Sequence, residues 1–174
     1  MALIELAQQL RKIEEEILVS RIDWERKTKP FLFNHLNEIK SQLNLNIEIA
    51  IDRSILNLES IVFSFKDSYC GLTYDPCNEI NVKNGFSGDI KKKGAAFYFA
   101  QRYNGQIIIW MAYPYILFLD RPLEKKTELL TTISQHKCDE EVVNRFIQDF
   151  LSKVTTWHRR EYKPTFGNEA FNLV

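Results

Sequence analysis

The fold is decided by two apolar runs on either side of Asn104-Gly105: Ala95-Ala96-Phe97-Tyr98-Phe99-Ala100 and Ile107-Ile108-Ile109-Trp110-Met111-Ala112-Tyr113. Asn-Gly between strand-like runs predicts a hairpin, because a two-residue type I′ turn needs positive φ at both central residues. With that turn, the expected cross-strand pairs are Tyr103 with Gln106, Phe99 with Trp110, and Phe97 with Ala112. One face of the hairpin would then carry Phe97, Phe99, Ile108, Trp110 and Ala112. We expect this hairpin to be the centre of an antiparallel sheet.

Further strands are predicted on the N-terminal side of the hairpin. From Leu45 to Ile51 apolar and polar residues alternate, which is the period of a half-buried strand, and the same alternation recurs from Ile61 to Phe65. Shorter candidates are 69–74 and 79–82, joined by the turn residues 75–78. Residues 84–94 hold three of the six glycines and a lysine triplet, so we expect a loop there. The prediction is a mainly antiparallel sheet of about five or six strands.

The N-terminal 45 residues read as helical. An apolar stripe follows alternating spacings of three and four residues; it consists of Leu3, Leu6, Leu10, Ile13 and Ile17. The stripe has two interpretations: a helix packed on its own sheet, or the seam of a symmetric dimer. The packed helix is favoured, because the stripe has fewer than the three to four heptads that identify a coiled coil. Thr28 and Pro30 indicate the start of a second helix, or else a kink within one long helix.

The C-terminal third is predicted to be helical as well. Asp120-Arg121-Pro122 resembles a helix entry, followed by a weak stripe of Leu123, Thr127, Leu130 and Ile133. A clearer amphipathic helix follows Asp139, with its apolar band formed by Val143, Phe146, Ile147, Phe150, Val154 and Trp157. The overall expectation is a single α+β domain over 1–174: a helical segment at 1–45, the sheet at 46–119, helices at 120–160 and an irregular tail at 161–174.

Composition narrows the class of protein. Lys plus Arg and Asp plus Glu both number 23, so no global field attracts nucleic acid or an anionic membrane. The three cysteines do not form a disulfide framework, and the first residues lack the features of a signal peptide, which together favour a cytoplasmic protein. The longest apolar run, 106–119, is shorter than the ~20 residues of a membrane-spanning helix. We therefore expect no membrane partner.

No catalytic or metal-binding motif emerges. Cys70, Cys77, His136 and Cys138 are soft zinc ligands by type, but their spacing does not match known zinc knuckles. Cys138 beside His136 is the only local nucleophile and base pair, and no nucleophile elbow accompanies it. The loop glycines fit no nucleotide fingerprint. We predict no catalytic residue, no metal and no cofactor.

Basic clusters offer one binding alternative. With aromatic residues nearby, they could hold phosphates and stack bases; the candidate patch is Lys91, Lys92, Lys93, Arg159 and Arg160. The competing interpretation is ordinary solvated charge. On balance, the sequence favours a non-enzymatic protein-interaction protein, a small subunit or adaptor of a larger assembly with a protein partner or a homodimer. The alternatives are a nucleic-acid-binding accessory protein and, third, a hydrolase with an unrecognised active site.

Overall fold

The computed structural model describes residues 3–55, 58–75, 79–82, 89–116 and 127–159. The helices are α1 (Leu3–Asp23), a π-helical segment (Trp24–Thr28), α2 (Lys29–Leu43), a short 3₁₀ turn (Gln135–Lys137) and α3 (Glu140–Arg159). The strands are β1 (Ile47–Ile55), β2 (Leu58–Phe65), β3 (Ser68–Asp75), β4 (Glu79–Val82), β5 (Asp89–Lys93), β6 (Ala96–Gln101), β7 (Ile107–Ala112), β8 (Tyr115–Ile116) and β9 (Thr127–Ile133). The predicted α+β class is confirmed.

The main sheet has five antiparallel strands in the order β1-β2-β6-β7-β9. Helices α2 and α3 cover one face of it, and their buried residues join the core with those of the strands. The Phe150 ring of α3 lies 5.4 Å from the ring of Phe97 and 6.2 Å from that of Phe63. Because α3 repeats an apolar residue every three or four positions, Val143, Ile147 and Phe150 reach the same core, as the sequence predicted.

Three strands of the main sheet continue into a second sheet with the order β4-β3-β5-β8. β2 leads into β3, β5 into β6 and β7 into β8, each through only two residues, and these pairs of residues form a corner. At the corner, Phe65 N–H donates to the Ala95 carbonyl at 2.9 Å. A Cβ on Gly94 would lie 1.9 Å from the Phe65 carbonyl oxygen, so only glycine fits this bend.

The sequence predicted a loop over residues 84–94, but the second half of this range forms β5. The lysine triplet therefore lies on a strand, while 83–88 fall outside the described residues. The two shorter predicted strands are confirmed as the antiparallel pair β3 and β4. The predicted tail at 161–174 lies outside the described residues.

The central hairpin forms, but its predicted register is wrong by one residue. Arg102 N–H donates to the Gln106 carbonyl at 2.8 Å, which leaves three residues in the turn, and Gly105 alone adopts positive φ there, at 80°. This matches a type I turn closed by a glycine bulge instead of type I′. Consequently Tyr98, not Phe99, faces Trp110, with the rings stacked 3.6 Å apart.

A one-residue shift moves every side chain of a strand to the other face of the sheet. The predicted shared face of Phe97, Phe99, Ile108, Trp110 and Ala112 is therefore wrong. The buried face consists of Phe97, Phe99, Ile107, Ile109 and Met111.

The helix predicted after residue 120 is also wrong where the structure describes it. Residues 127–133 form β9, which pairs with β7, for example Thr131 with Ile109. β-Branched residues dominate this segment, and they favour an extended chain wherever an unpaired strand edge is available. Leu123, the first residue of the predicted stripe, lies outside the described residues. Asp139 caps the helix α3 that was predicted to follow it, since its carboxylate accepts the Val142 N–H at 2.9 Å.

The N-terminal segment is one kinked helix instead of two separated helices. Thr28 has helical dihedral angles and makes no side-chain cap, while Lys29 N–H bonds to the Trp24 carbonyl five residues back. Such a π-helical turn bends a helix without breaking it. Trp24, Thr28, Leu32 and Leu36 are buried, whereas α1 has no buried residue.

Candidate protein-interaction surface

The stripe predicted on α1 is exposed to solvent instead of packed on the sheet. The exposed fractions are 85% for Leu3, 48% for Leu6, 57% for Leu10 and 52% for Ile13, while Ile17 is partly exposed. We call these five residues the α1 stripe. Of its two interpretations from sequence, packing on the chain's own sheet is not what the structure shows. Half-exposed leucine and isoleucine side chains in a row are typical of a surface that binds another protein.

The spacing of the α1 stripe continues into residues that do pack on the rest of the protein. The next two positions of the same pattern are Ser20 and Trp24. Ser20 lies against the central hairpin so closely that a Cβ on Gly105 would be 2.2 Å from the Ser20 Cβ. Trp24 is fully buried. The stripe therefore lies on the part of α1 that precedes its contact with the rest of the protein, and this contact begins at Ser20, beside the hairpin turn.

Gln135 joins the elements that meet at this point. Its Nε2 donates to the Ser20 carbonyl at 2.6 Å and to the Gly105 carbonyl at 2.8 Å, and its Oε1 accepts from the Thr28 hydroxyl at 3.0 Å. Gln101 adds a longer bond to the Ser20 carbonyl, at 3.4 Å. Sequence reasoning missed Gln135, and the only signal was the polar Ser20 that interrupts an otherwise apolar stripe.

The end of α1 meets the hairpin turn and β2 at a contact that we call the junction. Glu59 on β2 binds the residues on its other side. Its carboxylate accepts from Trp24 Nε1 at 3.1 Å, from Lys29 Nζ at 2.8 Å and from Arg53 Nη2 at 2.8 Å. Burial by itself would raise the pKa of Glu59, but the hydrogen bonds from Lys29, Trp24 and Arg53 outweigh burial and lower that pKa from 4.5 to about 2. The base of α1 is therefore held by a charged network.

Two adjoining hollows of about 170 and 310 Å³ flank the junction, and Asp23, Gln135 and His136 line both. The Ser134 hydroxyl lies 3.3 Å from His136 Nε2 in an exposed contact. Burial, followed by the nearby Asp139 charge, raises the pKa of Cys138 to about 12. The Cys138 thiol is thus protonated at neutral pH and gives the His136 and Cys138 pair no thiolate for nucleophilic chemistry.

The structure places one lysine of the predicted basic patch beside the helix that carries Arg159. Lys92 Nζ lies 5.9 Å from the ring centre of Trp157, so the second sheet meets the last turn of α3, which also carries Arg159. Lys93 is paired with Asp67. Burial and the neighbouring Lys92 charge lower the pKa of His158, which leaves that imidazole neutral. Arg160 and the side chain of Lys91 lie outside the described part of the chain.

Two further lysines near the kink of the N-terminal helix are paired with acidic residues, and the side chains of Cys70 and Cys77, two of the four candidate zinc ligands, lie outside the described part of the chain. Lys27 pairs with Asp23 at 2.8 Å, and Lys29 with Glu25 and Glu59, so this cluster is neutralised. Within the described ranges, no three His, Cys, Asp or Glu side chains converge on a point where a metal could bind. Cys77 falls outside those ranges. Across the same residues, no helix combines the length and the apolar composition needed to cross a bilayer.

Comparison of the chain with protein-family models, with curated proteins and with solved structures gives no match.

Proposed function

We propose that this chain is a non-enzymatic protein-interaction protein, a small subunit or adaptor of a larger assembly, and that α1 is its docking element. The observation that carries the proposal is the exposed α1 stripe on a 21-residue helix with no buried residue. A helix of this length extends for about 30 Å. Its regular stripe fits the recognition mode in which apolar positions of one helix pack on another protein.

The free energy available from the stripe is compatible with a reversible complex. Full burial of a leucine or isoleucine contributes about 1.5–3 kcal/mol, so side chains that are already half covered contribute about 1 kcal/mol each. Two such stripes in contact give about 10 kcal/mol in total, against an association cost of about 4–15 kcal/mol. We therefore expect moderate affinity unless further surfaces contribute.

A second apolar surface on α1 supports the role of adaptor. Leu18, Val19 and Ile22 are exposed by 60%, 57% and 44%, and helical geometry places them on the side of α1 away from the stripe. Ile4, at 72% exposure, lies on the same side. A helix with two separate apolar faces can contact two partners at once, as an assembly subunit does.

The first partner that we propose for the α1 stripe is a second copy of the chain, with the two stripes forming the seam of a symmetric dimer. The decisive experiment replaces Leu10 with Asp and follows the molecular mass by light scattering from about 1 µM to about 500 µM. An aspartate in the seam of each of two copies should raise the dissociation constant by about two orders of magnitude or more, because unpaired charges would be buried. The matched control is Gln8→Asp, which adds the same charge on the opposite face of α1. We expect the wild type and Q8D to self-associate and L10D to be a folded monomer.

Two outcomes contradict the proposal of self-association. One is a wild-type monomer at the highest concentration. The other is an L10D variant that loses its circular dichroism and cooperative melting, since Leu10 would then belong to the chain's own core. Comparing the melting curves of L10D and Q8D separates loss of folding from loss of association.

Nucleic-acid binding is the second candidate, and the contact between Lys92 and Trp157 supports it. Cations beside an aromatic ring are what single-stranded nucleic acid requires, because bases stack on rings while phosphates bind lysine and arginine. The neutral His158 and the pairing of Lys93 with Asp67 reduce the charge of this patch. For that reason it ranks below the α1 stripe.

A further inference from the structure

We infer that the partner of the α1 stripe in a mixed complex is an amphipathic helix of another protein, with basic residues on both sides of its own apolar stripe. The choice of partner rests on the proposed role of α1 as a docking element and adds the chemistry of the protein that docks there. It follows from the form of the exposed surface and from the charged residues beside it.

The open part of α1 has a form that another helix fits. From Leu3 to Ile17 the stripe repeats every three or four residues over about 21 Å, the spacing at which side chains of two helices interdigitate. A helix bonds its backbone within itself, so α1 offers no edge to which an extended strand could add. At Ser20 the Gly105 turn lies against α1, so the partner helix lies along residues 3–17 and ends before that level.

Acidic and basic residues lie on different sides of this part of α1. With about 100° between consecutive residues, Glu14 and Glu16 lie on opposite flanks of the stripe, and both are exposed. The other flanking positions, 7 and 9, are uncharged. The two cations within residues 3–17 are Arg11 and Lys12, and helical geometry places both on the side away from the stripe. Each flank therefore carries a negative charge and no positive one.

A helix with lysine or arginine at the facing positions is the complement of these flanks. When two helices pack along apolar seams, the residues beside the seams lie next to each other, so each glutamate meets a residue of the partner. Glu16 lies 3.9 Å from Lys12 in an ion pair whose side chains are 66% and 78% exposed. Such a surface pair contributes little free energy, so Glu16 is available to the partner. An acidic helix would add repulsion at the same positions.

A second copy of the chain leaves these glutamates without a cation. Its stripe has the same flanks, so along residues 3–17 only alanine, glutamine and glutamate face one another in either direction of pairing. A basic helix gains two charge pairs that the homodimer lacks, and it brings no second hairpin turn to the seam. We therefore expect a dimer of the chain alone to give way to a mixed complex when such a helix is present.

The test uses three synthetic peptides of about 18 residues that share one stripe of leucine and isoleucine. They differ only at the flanking positions, which are lysine, glutamine or glutamate. Fluorescence anisotropy measures the affinity of each labelled peptide for the full chain at about 50 mM salt. Exposed charge pairs are individually weak, so two of them should make the basic peptide bind about fivefold more tightly than the neutral one. The acidic peptide should bind more weakly than either.

Matched variants show whether this preference comes from the flanks of the stripe. Glu14→Lys should weaken binding of the basic peptide about fivefold and improve that of the acidic peptide, because attraction and repulsion are exchanged. Glu15→Lys changes the next residue, on the side away from the stripe, and should alter binding by less than about twofold. Leu10→Asp should abolish binding of all three peptides, whereas Gln8→Asp should leave it intact. Circular dichroism checks that each variant is folded.

The outcomes separate the class of partner from the proposed function. Equal binding of the three peptides, abolished by L10D, would keep the α1 stripe as a docking surface and overturn the basic partner. Binding of the basic peptide that L10D leaves unchanged would lie elsewhere on the chain and would overturn it as well. If no peptide binds the wild type, the basic partner is also overturned, and light scattering of the chain alone then decides whether self-association through α1 stands.

Discussion

A single carboxylate, Glu59, connects the kinked N-terminal helix to the sheet. Its side chain is only 15% exposed and is bonded to Trp24, Lys29 and Arg53. Because folding lowers the pKa of Glu59 to about 2, the native state prefers the charged form. The resulting stability is fully present above pH 4.5 and is lost as the pH falls toward 2.

We expect Glu59→Gln to destabilise the protein by up to about 3 kcal/mol at neutral pH, because the charged hydrogen bonds are lost. The difference between wild type and variant should shrink as the pH falls from 5 toward 2. Denaturant unfolding at several pH values and one protein concentration measures it. Glu25→Gln is the matched control, since Glu25 also binds Lys29 but is 58% exposed, and it should cost little. An E59Q effect of equal size at neutral and acid pH would contradict the linkage.

The residues that hold the junction could not have been predicted from sequence. Gln135 is 115 residues from Ser20 and 107 from Thr28, so no local pattern connects them. The stripe residues themselves were recognisable, because helical periodicity is a local property. Whether they would be covered was not, since that depends on where the hairpin turn lies relative to α1.

At the scale of elements, sequence patterns located the hairpin but not its register. Asn-Gly correctly marks the turn, yet the same dipeptide also fits a three-residue turn in which only Gly105 has positive φ. Tyr103 then belongs to the turn instead of the ladder. A shift of one residue in the pairing of β6 and β7 changes which side chains face the core. Local propensities do not determine this register.

The segment that forms β9 could not be assigned from its sequence, because its residues fit both a helix and a strand. Leu130 and Ile133 fit a helical stripe, while Thr127, Thr131 and Thr132 favour a strand. The tertiary structure decides in favour of the strand, because β7 would otherwise expose an edge beside the core. The ion pair between Lys153 of α3 and Glu128 further binds β9 to the helix that covers the sheet.

The contact between the hairpin turn and α1 yields a prediction about two elements. Gly105→Ala should destabilise the protein by about 1–3 kcal/mol, because alanine is strained at positive φ and its Cβ would collide with Ser20. In the double variant Gly105→Ala with Ser20→Gly, the collision is removed and only the backbone strain remains. We therefore expect a favourable coupling of about 1 kcal/mol in a double-mutant cycle measured by denaturant unfolding. Strictly additive effects would show that Ser20 does not press on the turn.

At the scale of the whole molecule, apolar and charged surfaces lie on different elements. The α1 stripe overhangs one side of the hairpin turn, while the Lys92 and Trp157 contact lies where the second sheet meets the end of α3. The corner at Gly94 creates this second site, because it carries the main strands into another sheet. Sequence patterns identified the basic residues, but they placed Lys92 in a loop instead of on β5 and gave no sign of the corner that brings residues 92 and 157 together.

Because positive and negative side chains are equal in number, any nucleic-acid affinity must come from a local patch, and the Lys92 and Trp157 contact is the candidate for it. If the patch neutralises about three phosphates, its affinity for nucleic acid should fall roughly 30-fold when the salt concentration rises from about 50 to about 200 mM. Fluorescence anisotropy with labelled single- and double-stranded oligonucleotides measures this loss. Lys92→Glu should abolish the binding, whereas Lys12→Glu, an equal change of charge on the exposed side of α1, should leave it intact. Absence of binding at low salt would remove nucleic acid as a partner, and equal effects of K92E and K12E would exclude the Lys92 patch as its binding site. Either result would leave the α1 stripe as the proposed binding surface.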